Sequence, residues 1–200
     1  MVEKISEQKF FHVLHNHPHS TFETLADGTE FTVGNSTNPF FGFYENIREY
    51  DANTLDGLKK IPAIQYIKGV RDENLNVPNF PAIACEVAVH YMMLARELIM
   101  EDIRQQIAPD APSRKTSLWI VDNLEGAKFW LKHLGGEGTI VQLLATGTIH
   151  SADASYLLGD SEPLTQTYNK ARSYWLGKTS DNAQPEILFS GKATVVKILD

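Results

Sequence analysis

From Pro81 to about Ile107 the chain contains no Gly and no Pro after the first position. Val87, Tyr91, Leu94 and Leu98 recur there at helical spacing. Pro81 suits a first helical turn. The pattern turns polar at Glu101-Asp102 and stops before Pro109. It predicts a long central helix of roughly 25 residues, ~38 Å end to end, that acts as a packing element and not a catalytic one.

Shorter patterns flank it. Lys9 to Leu14 predicts a strand, followed by a polar, His-rich stretch from His15 to Ser20. Leu25-Ala26-Asp27-Gly28 turns the chain into a second strand, Glu30 to Val33, closed by Gly34. Asn35 to Phe43 reads as a loop. Phe40, Phe41 and Phe43 around Pro39 belong either to the core or to an apolar wall beside a ligand. Residues 51–80 yield only one short helix within Ile61 to Val70.

After the long helix the β pattern returns. Ser117 to Val121 predicts a strand. Asp122-Asn123-Leu124-Glu125 resembles a capping box and opens a helix from Leu124 to Leu134, closed by Gly135-Gly136. Thr139 to Ala145 is continuously apolar, as expected of a strand buried on both faces. Pro163 to Leu176 predicts a helix. Glu186 to Ser190 and Ala193 to Leu199 predict two strands joined in a hairpin at Gly191. Strands and helices do not alternate regularly, which favours α+β over a doubly wound α/β fold. A length of 200 residues fits one domain, 1–200.

Composition narrows the function classes. Hydrophobic residues are 42% and charged residues 22%, which excludes collagen-like, disordered and disulfide-scaffold readings. Lys plus Arg is 18 and Asp plus Glu is 25, so the formal charge is 18 − 25 = −7. The longest basic run is Arg114-Lys115, so no basic patch for a phosphate polymer stands out. Cys85 is the one cysteine, which rules out a disulfide within the chain, and its apolar neighbours predict a small buried side chain. No run approaches ~18 apolar residues, so no membrane span is expected. Met1 to Glu7 lacks the apolar core of a signal peptide. A cytoplasmic setting is expected, with delivery as an effector left open.

His12, His15, His17 and His19 fall within eight residues, and His-x-His pairs suit zinc. His15-Asn16-His17-Pro18 also looks like the core of the JAMM metalloprotease motif. That motif expects a Ser where Leu25 stands and an Asp where Gly28 stands, with Asp27 one residue out of place. Only 14 residues precede His15, too few for that fold's preceding strand and helix. The reading is therefore a solvated loop and no metal. Phosphate-loop, dinucleotide and nucleophile-elbow signatures are absent.

Four segments carry a different signal. They are the opening strand with His12 running to Leu25 to Phe31; Glu101 to Arg104 with Pro109 to Arg114; Ser117-Leu118-Trp119 with Leu124 to Trp130; and Ala171 to Trp175 with Pro185 to Val195. Their order resembles the DUF2441 group of uncharacterised bacterial proteins, which in turn resembles the ADP-ribosyltransferase fold. The most specific pieces are Pro112-Ser113-Arg114 and Glu186-Ile187-Leu188 with Gly191.

The resemblance implies a split β-sheet core, a cleft holding bent NAD, and transfer of ADP-ribose to an acceptor that is protein, nucleic acid or small molecule. His12 then fixes the NAD ribose. Trp119, Phe129 or Trp130 stacks on nicotinamide, since the usual Tyr has no counterpart. Glu186 grips the ribose hydroxyl and steadies the oxocarbenium-like transition state. Ser113 and Arg114 fall at the cofactor-binding positions, with the Arg114 guanidinium suited to the pyrophosphate.

Plainer roles stay open: a structural ion pair of Arg114 with Asp110 or Glu101, core packing for the aromatics, and a non-catalytic module that binds a nucleotide-like ligand or a protein. Strand alternation puts Glu186, Leu188 and Ser190 on one face and Ile187 and Phe189 on the other.

Overall fold

The computed structural model describes residues 2–15, 25–54, 57–75, 79–159 and 162–199. The His-rich stretch from 16 onward, with His17 and His19, lies outside these residues, as does the side chain of His15.

The molecule is mixed α and β around a curled antiparallel sheet. Its middle strand is β6 (Gly138–Asp153), 16 residues long. β6 pairs with β1 (Val2–His15) on one edge and with β7 (Pro185–Leu199) on the other. The far edge of β7 is shared. β2 (Glu30–Val33) takes residues 191–194, and β5 (Leu118–Ile120) takes residues 187–189. Beyond β5, Phe11 and Val121 exchange backbone hydrogen bonds of 2.8 and 2.9 Å, so the ladder returns to β1. That return curls the sheet. No residue of Thr139–Ala145 is exposed, as its apolar run requires.

Gly191 does not make a hairpin. It faces Gly147 across β6 and β7, and β7 passes straight through it. A Cβ on Gly191 would lie 2.3 Å from the Thr146 carbonyl oxygen, and one on Gly147 would lie 2.2 Å from that of Ser190. Both positions also have positive φ, 150° and 157°. Glycine here permits close approach of two strands and does not reverse the chain.

Three clusters form the core. Phe10, Ile120, Val141, Leu143 and Phe189 meet inside the curl. On the outer face, α3 (Phe80–Ile107) and α5 (Leu164–Trp175) pack on Leu188 through Met100, Ile103, Tyr174 and Trp175. Side chains of this size gain roughly 1.5–3 kcal/mol each from full burial. Trp175 Nε1 also donates to the Met100 carbonyl at 2.6 Å, tying α5 to α3. The third cluster lies under α4 (Leu124–His133). Its N-cap is Asn123, whose side chain accepts from Gly126 N–H at 2.7 Å, one residue later than the capping-box pattern predicts.

Four other expectations change. Asn35 to Phe43 is not all loop, because Pro39–Glu45 forms α1, capped by Asn38. Residues 51–80 hold most of a hairpin, β3 (Glu49–Thr54) with β4 (Gly57–Pro62), then α2 (Ala63–Arg71). α3 is 28 residues long, but its buried face carries Val87, His90, Glu97, Met100 and Ile103, while Tyr91 and Leu98 are 40% and 48% exposed. Cys85 is exposed on that helix and not buried. Among the described residues no helix is long and apolar enough to cross a membrane.

Candidate functional site

β1 and β2 end the β1–β6–β7–β2 path, and the outer edge of β1 carries the Phe11–Val121 bridge. Between them lies a cavity of about 880 Å³. Its lining takes consecutive residues from both edges, Phe11 to Leu14 and Thr32 to Gly34, and adds β5 from Leu118 to Ile120. α1 supplies Phe40, Phe43 and Tyr44, and α3 supplies Met93 and Arg96. The volume suits a small organic ligand. The Phe40 ring meets the Trp119 ring edge-on at 5.5 Å and Tyr44 at 5.2 Å. Asn38 secures this wall: its side-chain nitrogen donates to the carbonyls of Arg114 (2.7 Å) and Ser117 (3.0 Å).

His12 lines the cavity. Its Nδ1 donates to the Trp119 carbonyl at 2.7 Å. A carbonyl only accepts, so Nδ1 carries the proton. Burial pushes the imidazole down to about 4, against the opposing effect of that hydrogen bond. The ring is neutral at pH 7, and its Nε2 keeps a lone pair for a ligand hydroxyl.

Glu186 lines the same cavity, at the start of β7 opposite Ala152. Alternation puts it on the side of Leu188, facing α3 and α5. It is buried, 6% exposed, and heavily partnered. Arg114 Nη1 donates to its Oε1 at 2.6 Å and to the Tyr174 hydroxyl at 2.9 Å. The Tyr174 hydroxyl in turn donates to Glu186 Oε1. On the other side, Arg114 Nε donates to Glu97 Oε2 at 2.9 Å, and Arg96 Nη2 donates to Glu97 Oε1 at 2.7 Å.

The chain Arg96–Glu97–Arg114–Glu186–Tyr174 is thus one network, buried except at Arg96. Burial alone would raise the Glu97 carboxyl, but the charges and hydrogen bonds of Arg114 and Arg96 hold it below its usual range. Burial would lower Arg114, but Glu97, Tyr174 and Glu186 hold it well above its usual value. Burial drives the Tyr174 phenol well up, with Arg114 opposing, so the phenol stays a donor.

The remaining sequence-derived candidates separate. Arg114 and Trp119 line the cavity, with the guanidinium carbon 5.5 Å from the Trp119 ring centre. Arg114 pairs with neither Asp110 nor Glu101; Glu101 is taken by Arg104 at 2.8 Å. Trp130 lines the cavity and donates from Nε1 to the Pro185 carbonyl at 2.9 Å, beside Glu186. Phe129 is 46% exposed, stacks on His133 and is outside the lining. Ser113 is also outside it, with Oγ on Glu101 Oε2 at 2.7 Å.

The sequence reading missed Arg96 and Glu97, and favoured the core for Tyr174. One signal was present: Glu97 stands three residues from both Leu94 and Met100, a charge on an apolar helical stripe.

No curated protein matches the chain. A family model described as a protein of unknown function, DUF2441, matches residues 10–200. That span takes in both His12 and Glu186, and the chain belongs to the DUF2441 family.

Proposed function

We propose that this protein holds NAD in the cavity and transfers its ADP-ribose to an acceptor. The observation that carries this reading is that His12 and Glu186, from opposite ends of the chain, line one aromatic-walled cavity. The curled antiparallel sheet, with α3 and α5 on its outer face, is the support the fold gives to the ADP-ribosyltransferase-like core that the resemblance implies.

The chemistry follows from the groups. The bond from the ribose anomeric carbon to the nicotinamide nitrogen breaks. Nicotinamide leaves with the electron pair as a neutral base, and positive charge passes to the sugar. An acceptor nucleophile then bonds to that carbon and gives up its proton. Glu186 Oε1 is held by Arg114 and Tyr174, which aims the carboxylate and leaves Oε2 for the ribose. A fixed negative oxygen facing the sugar stabilises charge that exists only in the transition state. His12 Nε2 accepts a ribose hydroxyl, and Trp119 with Phe40 offers faces and edges for the base. Arg114 then acts through Glu186 and not on the pyrophosphate.

A second reading has its own support. Pairing with Arg114 offsets the charge of Glu186, which favours a module that binds a nucleotide-like ligand without turnover. Calorimetric titration with NAD and an assay for released nicotinamide separate the two. Heat with release, reduced in His12→Ala, supports transfer; heat without release supports the binding module; no heat removes both for NAD.

A further inference from the structure

We infer that the cavity recognises the nicotinamide-riboside half of its ligand alone, and that phosphate groups add nothing to binding there. The ligand class is an uncharged or cationic ribosyl-aromatic. This rests on the NAD reading above and specifies which part of NAD is bound.

The argument is one of charge already spoken for. Among the described residues, the Lys, Arg, Asp and Glu side chains lining the cavity are Arg96, Arg114 and Glu186. Every guanidinium nitrogen of the two arginines has a protein acceptor. Arg96 uses Nε and Nη2 on Glu97 and Nη1 on the Leu157 carbonyl. Arg114 uses Nε and Nη2 on Glu97 and Nη1 on Glu186 and Tyr174. Two cations face two carboxylates, Glu97 and Glu186, so the network is neutral in sum.

Among the described residues no Lys lines the cavity. Lys115, next in sequence to Arg114, sets its ammonium 4.4 Å from the Phe41 ring centre and is outside the lining. The stretches 16–24, 55–56, 76–78 and 160–161 contain no Lys or Arg. His12 donates its ring proton to Trp119 and presents a lone pair.

α4 meets the cavity at its C-terminal end, His133 and Leu134, so it turns no N-terminal N–H groups toward a phosphate there. A dianionic pyrophosphate entering this space would give up water and meet only guanidinium groups whose charge Glu97 and Glu186 already offset. A pyridinium ribose meets Glu186 and aromatic rings, which suit it.

The test is calorimetric titration of the full chain with NAD and with nicotinamide riboside, at about 0.05 M and about 0.5 M NaCl. The expected result is that the two Kd values agree within about threefold and each moves less than about twofold with salt. NAD binding more than about tenfold tighter, with affinity falling as salt rises, overturns the inference and leaves the NAD reading standing. No heat with either ligand removes the NAD reading itself, and the inference with it. Glu97→Gln gives a second handle, because it leaves two guanidinium groups with one carboxylate. In that variant NAD binding should tighten relative to nicotinamide riboside and become salt-sensitive. A correctly folded variant whose ratio stays at the wild-type value contradicts the proposal.

Discussion

Arg114 Nη1 stands 2.6 Å from Glu186 Oε1, across 72 residues of sequence and almost out of reach of solvent. The loop after α3 and the start of β7 are thereby locked together beside the cavity. Because the pair is buried, taking away one partner leaves a charge without compensation. Arg114→Ala strands Glu186, leaves Glu97 with Arg96 alone, and should cost about 3–5 kcal/mol. Urea unfolding measures this. Replacing the pair together, as Arg114→Met with Glu186→Gln, leaves Glu97 with Arg96 and should recover much of the loss; a double variant as unstable as the single one would argue against charge as the cause.

The Gly147–Gly191 crossing makes a second prediction. Gly191→Ala puts a methyl group 2.3 Å from the Thr146 carbonyl oxygen at a backbone φ of 150°. The cost should be about 2–5 kcal/mol from strain and strand displacement. Gly28→Ala is the control. It has a φ of 83° with nothing within 4 Å of the new methyl, so only the backbone cost of about 1–2 kcal/mol applies. Equal melting temperatures for the two variants would contradict the close-approach account.

Much of the β structure was legible because Glu30–Val33 and Thr139–Ala145 combine β-rich composition with turn signals. Gly191 was misread because a glycine between two strand-like runs carries the same signature whether the chain turns there or passes close to another strand. The face of α3 was misread for a related reason. Tyr91 and Leu98 fit the helical period, but the packed face is the one holding Glu97, whose charge is tolerated only because Arg96 and Arg114 meet it. Such partnerships are long-range. His12 with Trp119 and Arg114 with Glu186 leave no mark in local pattern, so the residue types of the site could be picked out and its wiring could not.

Acid should weaken the fold in two separate windows. His150 is fully buried, and burial lowers it to about 4. The unfolded state therefore binds a proton near the ordinary value of 6.5 while the folded state does not. Stability falls as pH drops from 6.5 towards 4, by up to about 3 kcal/mol for this group. His12 shifts in the same direction and adds to the slope. In His150→Gln the decline over that window should be shallower. An unchanged slope would show that His150 does not titrate with unfolding.

Asp153 governs the lower window. It accepts from the backbone N–H groups of Ser155, Ser180 and Gln184 at 2.8–2.9 Å, fixing the chain that leads into β7. Burial opposes its ionisation, but these bonds hold it down at about 2. Its contribution, about 2 kcal/mol, is complete above the ordinary value of 3.8 and lost as pH falls through 2. Asp153→Asn should therefore be less stable than wild type at pH 7, and the gap should narrow between pH 4 and 2. A gap that is constant with pH would assign the effect to packing alone.

The role of Glu186 in breaking the ribosyl bond is the centre of the account. The direct measurement is the rate of nicotinamide release from NAD by the purified full chain and by Glu186→Gln, both checked for native fold by circular dichroism. Loss of one aimed electrostatic group of this kind lowers kcat by about 10²–10³-fold, and that is the result expected here. No release by the wild type, or equal release by the two proteins, would contradict it.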